Sequence, residues 1–394
     1  MPVEARARRI RGRRFPWMRL TIATGCGVAL FALFLVPAFA PWFLRFEHWT
    51  ADWRTAFFSQ RLSAPHPKIA VVTINDATLK DLPSSPVDRG LLARIIAAID
   101  GGGARAIGLD IYFLKKTDPE RDQALIDAMR NAKAEIVLGA IDERGELEPF
   151  QREFQTTFLA RTGRPAGYLN LRHERDDVVR YVAAPAPGSA YPESFARLLA
   201  KTAGSTEEDR GRAIPWLLPP RSGEDAFLKI PAQDLFDTMG KETAAALKDR
   251  IVLIGGDFPF RDRHRTPLSV LSGEGVAGVL IHAQIIAGLL DPARTLSELR
   301  PRPATLLLIV LTAAGFAFGW SLWQSTFIGF LAWSFATGLL LAVDAVVFME
   351  LHLLLPFTLA FFAWFAAVTA GREAHFVANW LLENRDASKR VVES

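Results

Sequence analysis

Apolar and mixed stretches alternate along this chain, and their lengths divide it. Leu20–Ala40 is an uncharged apolar run. Pro303–Gly371 is a much longer one, in which the only formal charges are Asp344 and Glu350, expected in a solvated outer turn between two spans. A helix needs about 20 residues to cross a bilayer. The second stretch separates into three runs of about that size. The pattern thus predicts four transmembrane α-helices, one N-terminal at 20–40 and three C-terminal at 303–323, 326–343 and 351–370.

The intervening segment, 41–302, has shorter periods. Ile69–Ile74 is a β-branched run of buried-strand type. Asp88 is placed to cap a helix in which Leu91, Leu92, Ile95, Ile96 and Ile99 recur at three and four, and Gly101-Gly102-Gly103 ends it. Ala106–Ile111 is the next strand. Strand, helix and strand in about forty residues form a βαβ crossover with parallel strands. Helices are predicted over Glu120–Ala132, Glu193–Thr202, Asp234–Leu247 and Gly275–Leu290, and strands over Glu135–Ile141 and Ile251–Gly255. The periodicity is weak over 142–230. The sum is an α/β domain with a mostly parallel sheet. Asp291–Arg302 joins it to the membrane part, and Pro301 and Pro303 stiffen that joint.

Charge sets the orientation. The chain carries +4 overall, but seven arginines against Glu4 give residues 1–19 a charge of +6. Basic residues beside a first membrane helix stay cytoplasmic, so residues 1–19 are expected inside and 41–302 outside. Pro37, Phe39 and Trp42 make a poor signal cleavage site, which favours an uncleaved anchor. Three further crossings return residues 371–394 to the cytoplasm, where Arg372, Arg385, Lys389 and Arg390 agree with the rule. Arg300 and Arg302 lie outside and disagree, but a long translocated domain escapes it. The exported domain is near neutral, so the basic balance does not indicate nucleic acid. Cys26 is the single cysteine, which excludes an intrachain disulfide and a cysteine metal site.

In an open parallel sheet, ligands bind beyond the carboxyl ends of the strands. Three predicted strands run out into Asn75-Asp76, into Asp110 and into Gly255-Gly256-Asp257. Parallel strands bring Asp76, Asp110 and Asp257 to one rim, and Arg261, Asp262 and His264 follow in the same loop. These six are the ligand-binding candidates. The carboxylates of Asp76 and Asp110 suit a hard divalent cation, Ca²⁺ or Mg²⁺. The competing reading of each Asp is a helix cap or turn. His282 lies on an apolar helix and reads as a core residue. Gly255-Gly256-Asp257-Phe258 is similar to the diguanylate cyclase signature, but the following Glu is missing and the segment is expected outside. No catalytic set is legible, so no enzyme is expected.

Several blocks together resemble the type 2 CHASE domain, an extracellular sensory family associated with bacterial cyclases, histidine kinases and protein kinases. They are Lys68–Asp76, Arg94–Phe113, Asp176–Arg180, and Arg250–Gly256 continuing through Asp262, Thr266-Pro267 and Gly278–Ile286; Asp52-Trp53-Arg54 fits more loosely. They span most of 45–292. Two departures stand out. Ser84-Ser85-Pro86-Val87-Asp88 replaces a Trp-rich turn, and Asp177 stands where members usually carry Gly. The resemblance implies a sensor in the bacterial inner membrane, and it supplies no catalytic residues. The tail after Gly371 is too short to bury a core, so output is expected to go to a separate cytoplasmic or membrane signalling partner, with a homodimer compatible. Phe376, Trp380 and Leu381 suit a short amphipathic helix. The runner-up expectation is a structural or assembly component of an envelope complex without a small ligand. An exported hydrolase built on the Asp rim and His264 ranks third.

Overall fold

A computed structural model describes residues 16–35, 40–80, 86–322 and 326–392. The arginine cluster up to Arg14, the Pro37–Phe39 break and the Ser84-Ser85 turn lie outside the described residues. The chain forms two compact units. One is Asp52–Ser297; the other joins Met1–Ala51 to Glu298–Ser394.

Helices α1 (Trp17–Leu35) and α2 (Ala40–Phe58) come first, and the unit boundary falls within α2. The α/β unit continues with β1 (Ile69–Ile74), α3 (Arg89–Gly101), β2 (Ala106–Asp110), α4 (Pro119–Asn131), β3 (Glu135–Ala140), α5 (Pro149–Thr162) and β4 (Ala166–Tyr168). A small hairpin follows, β5 (Arg172–His173) with β6 (Val179–Tyr181). Then come α6 (Phe195–Thr202), β7 (Leu228–Pro231), α7 (Gly240–Ala245), β8 (Ile251–Gly256), β9 (Arg263–His264), α8 (Ser269–Ser272), β10 (Val276–Ala277) and α9 (Gly278–Leu290).

Six strands form one sheet in the order β4-β3-β2-β8-β1-β7, parallel throughout. The predicted crossover from β1 to β2 is present, with β8 inserted between the two strands. Alternate side chains of each strand serve opposite faces. Ala70, Val72, Ile74, Val252 and Ile254 pack with Leu92, Ile95, Ile96 and Ile99 of α3 and with Leu125, Ile126 and Met129 of α4. Ile69, Val71, Ile251 and Leu253 pack on the other face with Phe195 and Leu199 of α6 and with Val279, Ile281 and Ile285 of α9. Each such side chain contributes about 1.5–3 kcal/mol on burial.

Local signals explain the helix ends. The Asp88 carboxylate accepts from Leu91 N at 2.8 Å, as its spacing predicts. Pro119 and Pro149 open α4 and α5, where a missing N–H costs nothing. The predicted helix Asp234–Leu247 is broken. A 3₁₀ turn over Ala232–Leu235 precedes α7, and a Cβ on Gly240 would lie 2.4 Å from the Leu235 carbonyl oxygen. Asp177, the family's usual Gly, has φ 63°, a left-handed conformation that favours Gly and tolerates Asp.

The helical unit adds α10 (Pro301–Ser321), α11 (Thr326–Leu351) and α12 (Phe357–Val392). Among the described residues, Pro301–Ser321 and Phe327–Leu351 are long and apolar enough to cross a membrane. Their bounds correct the prediction. Pro301 and Pro303 lie in the first turn of α10 rather than in a joint. Asp344 and Glu350 lie inside α11 rather than in a solvated turn, and Asp344 is 6% exposed. The turn comes later, at His352 (φ 49°) and Pro356, because backbone breakers rather than charges end the helix. The tail after Gly371 is no separate short helix but the continuation of α12.

Small residues set the packing of α10 on α12. A Cβ on Gly319 would lie 2.0 Å from the Val368 carbonyl oxygen, and one on Gly371 would lie 2.1 Å from that of Phe316. Gly315 sits four residues before Gly319, against Trp364 and Ala367, so Gly315 and Gly319 form a GxxxG contact. Gly319→Leu should therefore destabilise the full chain in detergent by about 1–3 kcal/mol, the usual cost of overpacking. Gly338→Leu, with nothing within 4 Å of its Cβ position, is the control. Equal thermal midpoints for the two variants would refute the close contact.

Candidate functional site

The sheet order fixes where chemistry can collect. After β1 and β2 the chain turns to α3 and α4 on one face; after β8, which lies between them, it turns to α9 on the other. The carboxyl end of β8 is therefore a topological switch point. The register places Asp110 opposite Gly255 and Ile74 opposite Gly256. A Cβ on Gly255 would lie 2.6 Å from that of Val279 and 3.2 Å from that of Asp110. Glycine here lets the α9 N-terminus and Asp110 close on the strand end.

Two carboxyl groups at this end behave oppositely. Burial holds the Asp110 carboxyl well above the ordinary range, and the negative charge of Asp262 adds to it. Burial would raise Asp262 as well. It is held low instead by its hydrogen bond with His264 and by the Gly278 N–H at the start of α9. His264 Nε2 lies 2.9 Å from Asp262 Oδ1. Asp262 adopts φ 54°, which turns the loop back into β9. The pair can therefore hold one proton and one negative charge side by side, an arrangement suited to a polar ligand.

The other predicted residues lie differently. Asp76 is exposed. Asp257 accepts from Arg263 Nη2 at 2.7 Å and lies 3.6 Å from Lys229 Nζ. Arg261 pairs its backbone with Phe258 across a loop whose tip is Phe260, 97% exposed. Thus Asp110, Asp262 and His264 form one group, while Asp257 is paired with Arg263 and Lys229. Among the described residues, no three His, Cys, Asp or Glu side chains are grouped to hold a metal ion. The hard-cation reading of Asp76 and Asp110 thus finds no ligand set.

The sequence missed the opposing hairpin. Val179 N donates to the Arg265 carbonyl at 2.8 Å, which brings β6 beside the strand of His264. The His173 ring then faces that of His264 at 5.1 Å between centroids. His173 Nδ1 lies 2.8 Å from Asp177 Oδ1. Only a His and an Asp four residues apart marked it. Further along the hairpin, Arg180 donates to both carboxylate oxygens of Asp52, at 2.7 and 2.6 Å, and to both of Asp176, at 2.9 and 2.7 Å. Asp52 and Arg180 are both buried, so two blocks far apart in sequence, Asp52-Trp53-Arg54 and Asp176–Arg180, meet in one charged clamp. A small cavity elsewhere, bordered by Asp209 and Arg212, has room for about one water molecule.

His282 is a core residue, 4% exposed, edge-on to Phe195 at 5.4 Å between centroids, and its Nδ1 has no hydrogen-bond partner. Burial lowers it to about 4 from 6.5, against the pull of Asp262. The folded state keeps it neutral where the unfolded chain takes up a proton. Its contribution to stability is full above about pH 6.5 and is lost as the pH falls toward about 4, by about 3 kcal/mol in all. Asp110 has the opposite sign: its raised carboxyl favours the fold in acid and costs stability as the pH rises. Measured by thermal unfolding of the full chain, His282→Gln should flatten the acid limb, and Asp110→Asn should raise the midpoint at pH 7.5. A fall at pH 7.5 for Asp110→Asn would contradict the protonated carboxyl.

The comparisons agree with this architecture. No curated protein and no solved structure matches the chain. The CHASE2 domain model matches residues 27–322, which covers the whole α/β unit with its switch point, its hairpin and its clamp. CHASE2 domains are extracellular sensory domains, and this chain belongs to the CHASE2 family.

Proposed function

We propose that the chain is a membrane-anchored sensor whose α/β unit reads a cue outside the bacterial inner membrane. The cue is received at the switch point, and its state passes through the membrane helices to a separate output protein. The observation that carries this reading is the Asp110–Asp262–His264 group at the end of β8, in which burial pushes one carboxyl up while a hydrogen bond with His264 holds the other down. A ligand that prefers either charge state shifts the balance between two states by its differential affinity. The unit is read as a binding module and not as an enzyme.

The proposed topology has four crossings: α1, α10, α11 and the first part of α12. Two polar contacts within the helical unit support it. Arg19 Nη1 lies 2.9 Å from Glu373, and its guanidinium sits 4.1 Å over the Phe376 ring. The Glu47 carboxylate accepts from Phe357 N at 2.9 Å and Thr358 N at 2.8 Å. The start of α1 thus lies beside the later part of α12, and the α2 segment that follows α1 lies beside the start of α12. That is the arrangement expected when both termini are cytoplasmic. Output through α12 suits a cytoplasmic or membrane partner, or a second copy of the chain.

Cys26 is the only cysteine, which makes the topology testable by single thiols in a Cys26→Ser background. In intact cells a membrane-impermeant thiol reagent should label Ser222→Cys, in an exposed loop, and reach Leu382→Cys only after permeabilisation. The reverse pattern would end the sensor reading. Phe260 at the loop tip favours a second reading, in which the rim docks an envelope protein. A stable partner lost with Phe260→Ser but kept with Asp110→Asn would select it.

A further inference from the structure

The facing histidines have a chemistry that the carboxyl rim lacks. Each imidazole has one nitrogen on a carboxylate of its own hairpin: His173 Nδ1 on Asp177 and His264 Nε2 on Asp262. A carboxylate that takes the N–H of a neutral imidazole fixes the tautomer and leaves the lone pair on the other nitrogen. Those nitrogens are His173 Nε2 and His264 Nδ1. Neither makes a hydrogen bond among the described residues. The two side chains are partly open, at 36% and 21% exposure, so solvent ions reach them.

The spacing fits one class of ligand. Two imidazoles on a tetrahedral cation, with metal–nitrogen bonds of about 2.0–2.1 Å, place their ring centres about 5 Å apart. The observed separation is 5.1 Å, with the ring planes tilted by 56°. Imidazole nitrogens suit Zn²⁺, Cu²⁺ and Ni²⁺, whereas Ca²⁺ and Mg²⁺ prefer oxygen. The two carboxylates behind the rings carry two negative charges, which match a divalent cation. The nearest basic group of the hairpin, Arg172, is occupied by Glu174 at 2.8 Å and by the Tyr181 ring at 4.9 Å.

We infer that His173 and His264 form a binding site for a borderline divalent transition-metal ion, with Asp177 and Asp262 orienting the imidazoles and water completing the coordination. This rests on the sensor reading only for its meaning as a cue; the binding itself does not. The protein supplies two ligands, and among the described residues no group of three is placed to hold a metal ion. Bound metal would fasten the β5–β6 hairpin to the β9 loop. Arg180, which grips Asp52, lies on that same hairpin.

The test is Zn²⁺ titration of the full chain in detergent at pH 7.4, read by calorimetry, with Cu²⁺ followed by nitrogen hyperfine coupling in its EPR spectrum. One saturable Zn²⁺ site per chain is expected. His173→Ala and His264→Ala should each weaken it at least about tenfold, and Asp262→Asn or Asp177→Asn about 10–100-fold. Excess Mg²⁺ should not compete. His173 lies in an exposed hairpin, and His173→Asn provides a second variant should the alanine fail to fold. Absence of saturable Zn²⁺ binding in the wild type, or binding unchanged in both histidine variants, overturns the inference. Zn²⁺ binding together with reversed thiol labelling would leave this site standing and remove the sensor reading instead.

Discussion

Everything in the α/β unit follows from the burial of β8 between β1 and β2. A parallel strand flanked by two others exposes neither edge, and its two faces must both be covered by helices. Ile251 to Ile254 are accordingly 0–1% exposed. The strand supplies Val252 and Ile254 to one core and Ile251 and Leu253 to the other. The helices that follow β1, β2 and β8 must then part at its carboxyl end. That parting opens the crevice in which Asp110, Asp262 and His264 meet. The polar group is a consequence of the strand order, and Gly255 is the residue that lets α9 approach closely enough to complete it.

The same order explains why the charged groups are arranged in pairs. A lone carboxylate at a half-buried strand end is expensive, and two together are worse. Here the cost is relieved in two ways: burial shifts Asp110 toward its neutral form, and Asp262 gains His264 and the first N–H of α9. The hairpin repeats the solution with His173 and Asp177, and at its other strand with Arg180 held by Asp52 and Asp176. Of these pairs Arg180–Asp52 is the buried one, and removing either partner strands the other, which ties the hairpin to α2.

Much of this was legible in the sequence wherever one physical signal dominated. β1, α3, β2, α4, β3 and β8 announced themselves by apolar runs and helical spacing, with boundaries within a residue or two. The common rim followed from parallel strands alone. What failed did so for identifiable reasons. The span 142–230 holds two- and three-residue strands, too short for a period to register. Asp234–Leu247 looked helical because its apolar spacing does not report the close approach at Gly240. His173 and Asp177 drew no attention because their partners lie about ninety residues away and meet only through the pairing of β6 with Arg265. Charge was the misleading signal at Asp344, which pointed to water where the fold supplies a buried helix face.

The helical unit applies the opposite economy. In the proposed membrane setting, lipid removes most of the gain from burying apolar surface, so close backbone approach and a few polar contacts hold the helices together. The close approach sits at Gly319 and Gly371, where the backbones of α10 and α12 meet, and at Gly315, which lies against Trp364 and Ala367. The polar contacts sit at either end of that stretch. Glu47 accepts from the N–H groups of Phe357 and Thr358, and places a negative charge where the helix dipole favours one. Arg19 meets Glu373 and the Phe376 ring some sixteen residues further along α12. At a rise of about 1.5 Å per residue that interval is about 24 Å, most of a bilayer's apolar thickness. α12 is therefore pinned at two points about 24 Å apart, and under the proposed topology the helix beyond Glu373 is the part left to carry a change of state onward.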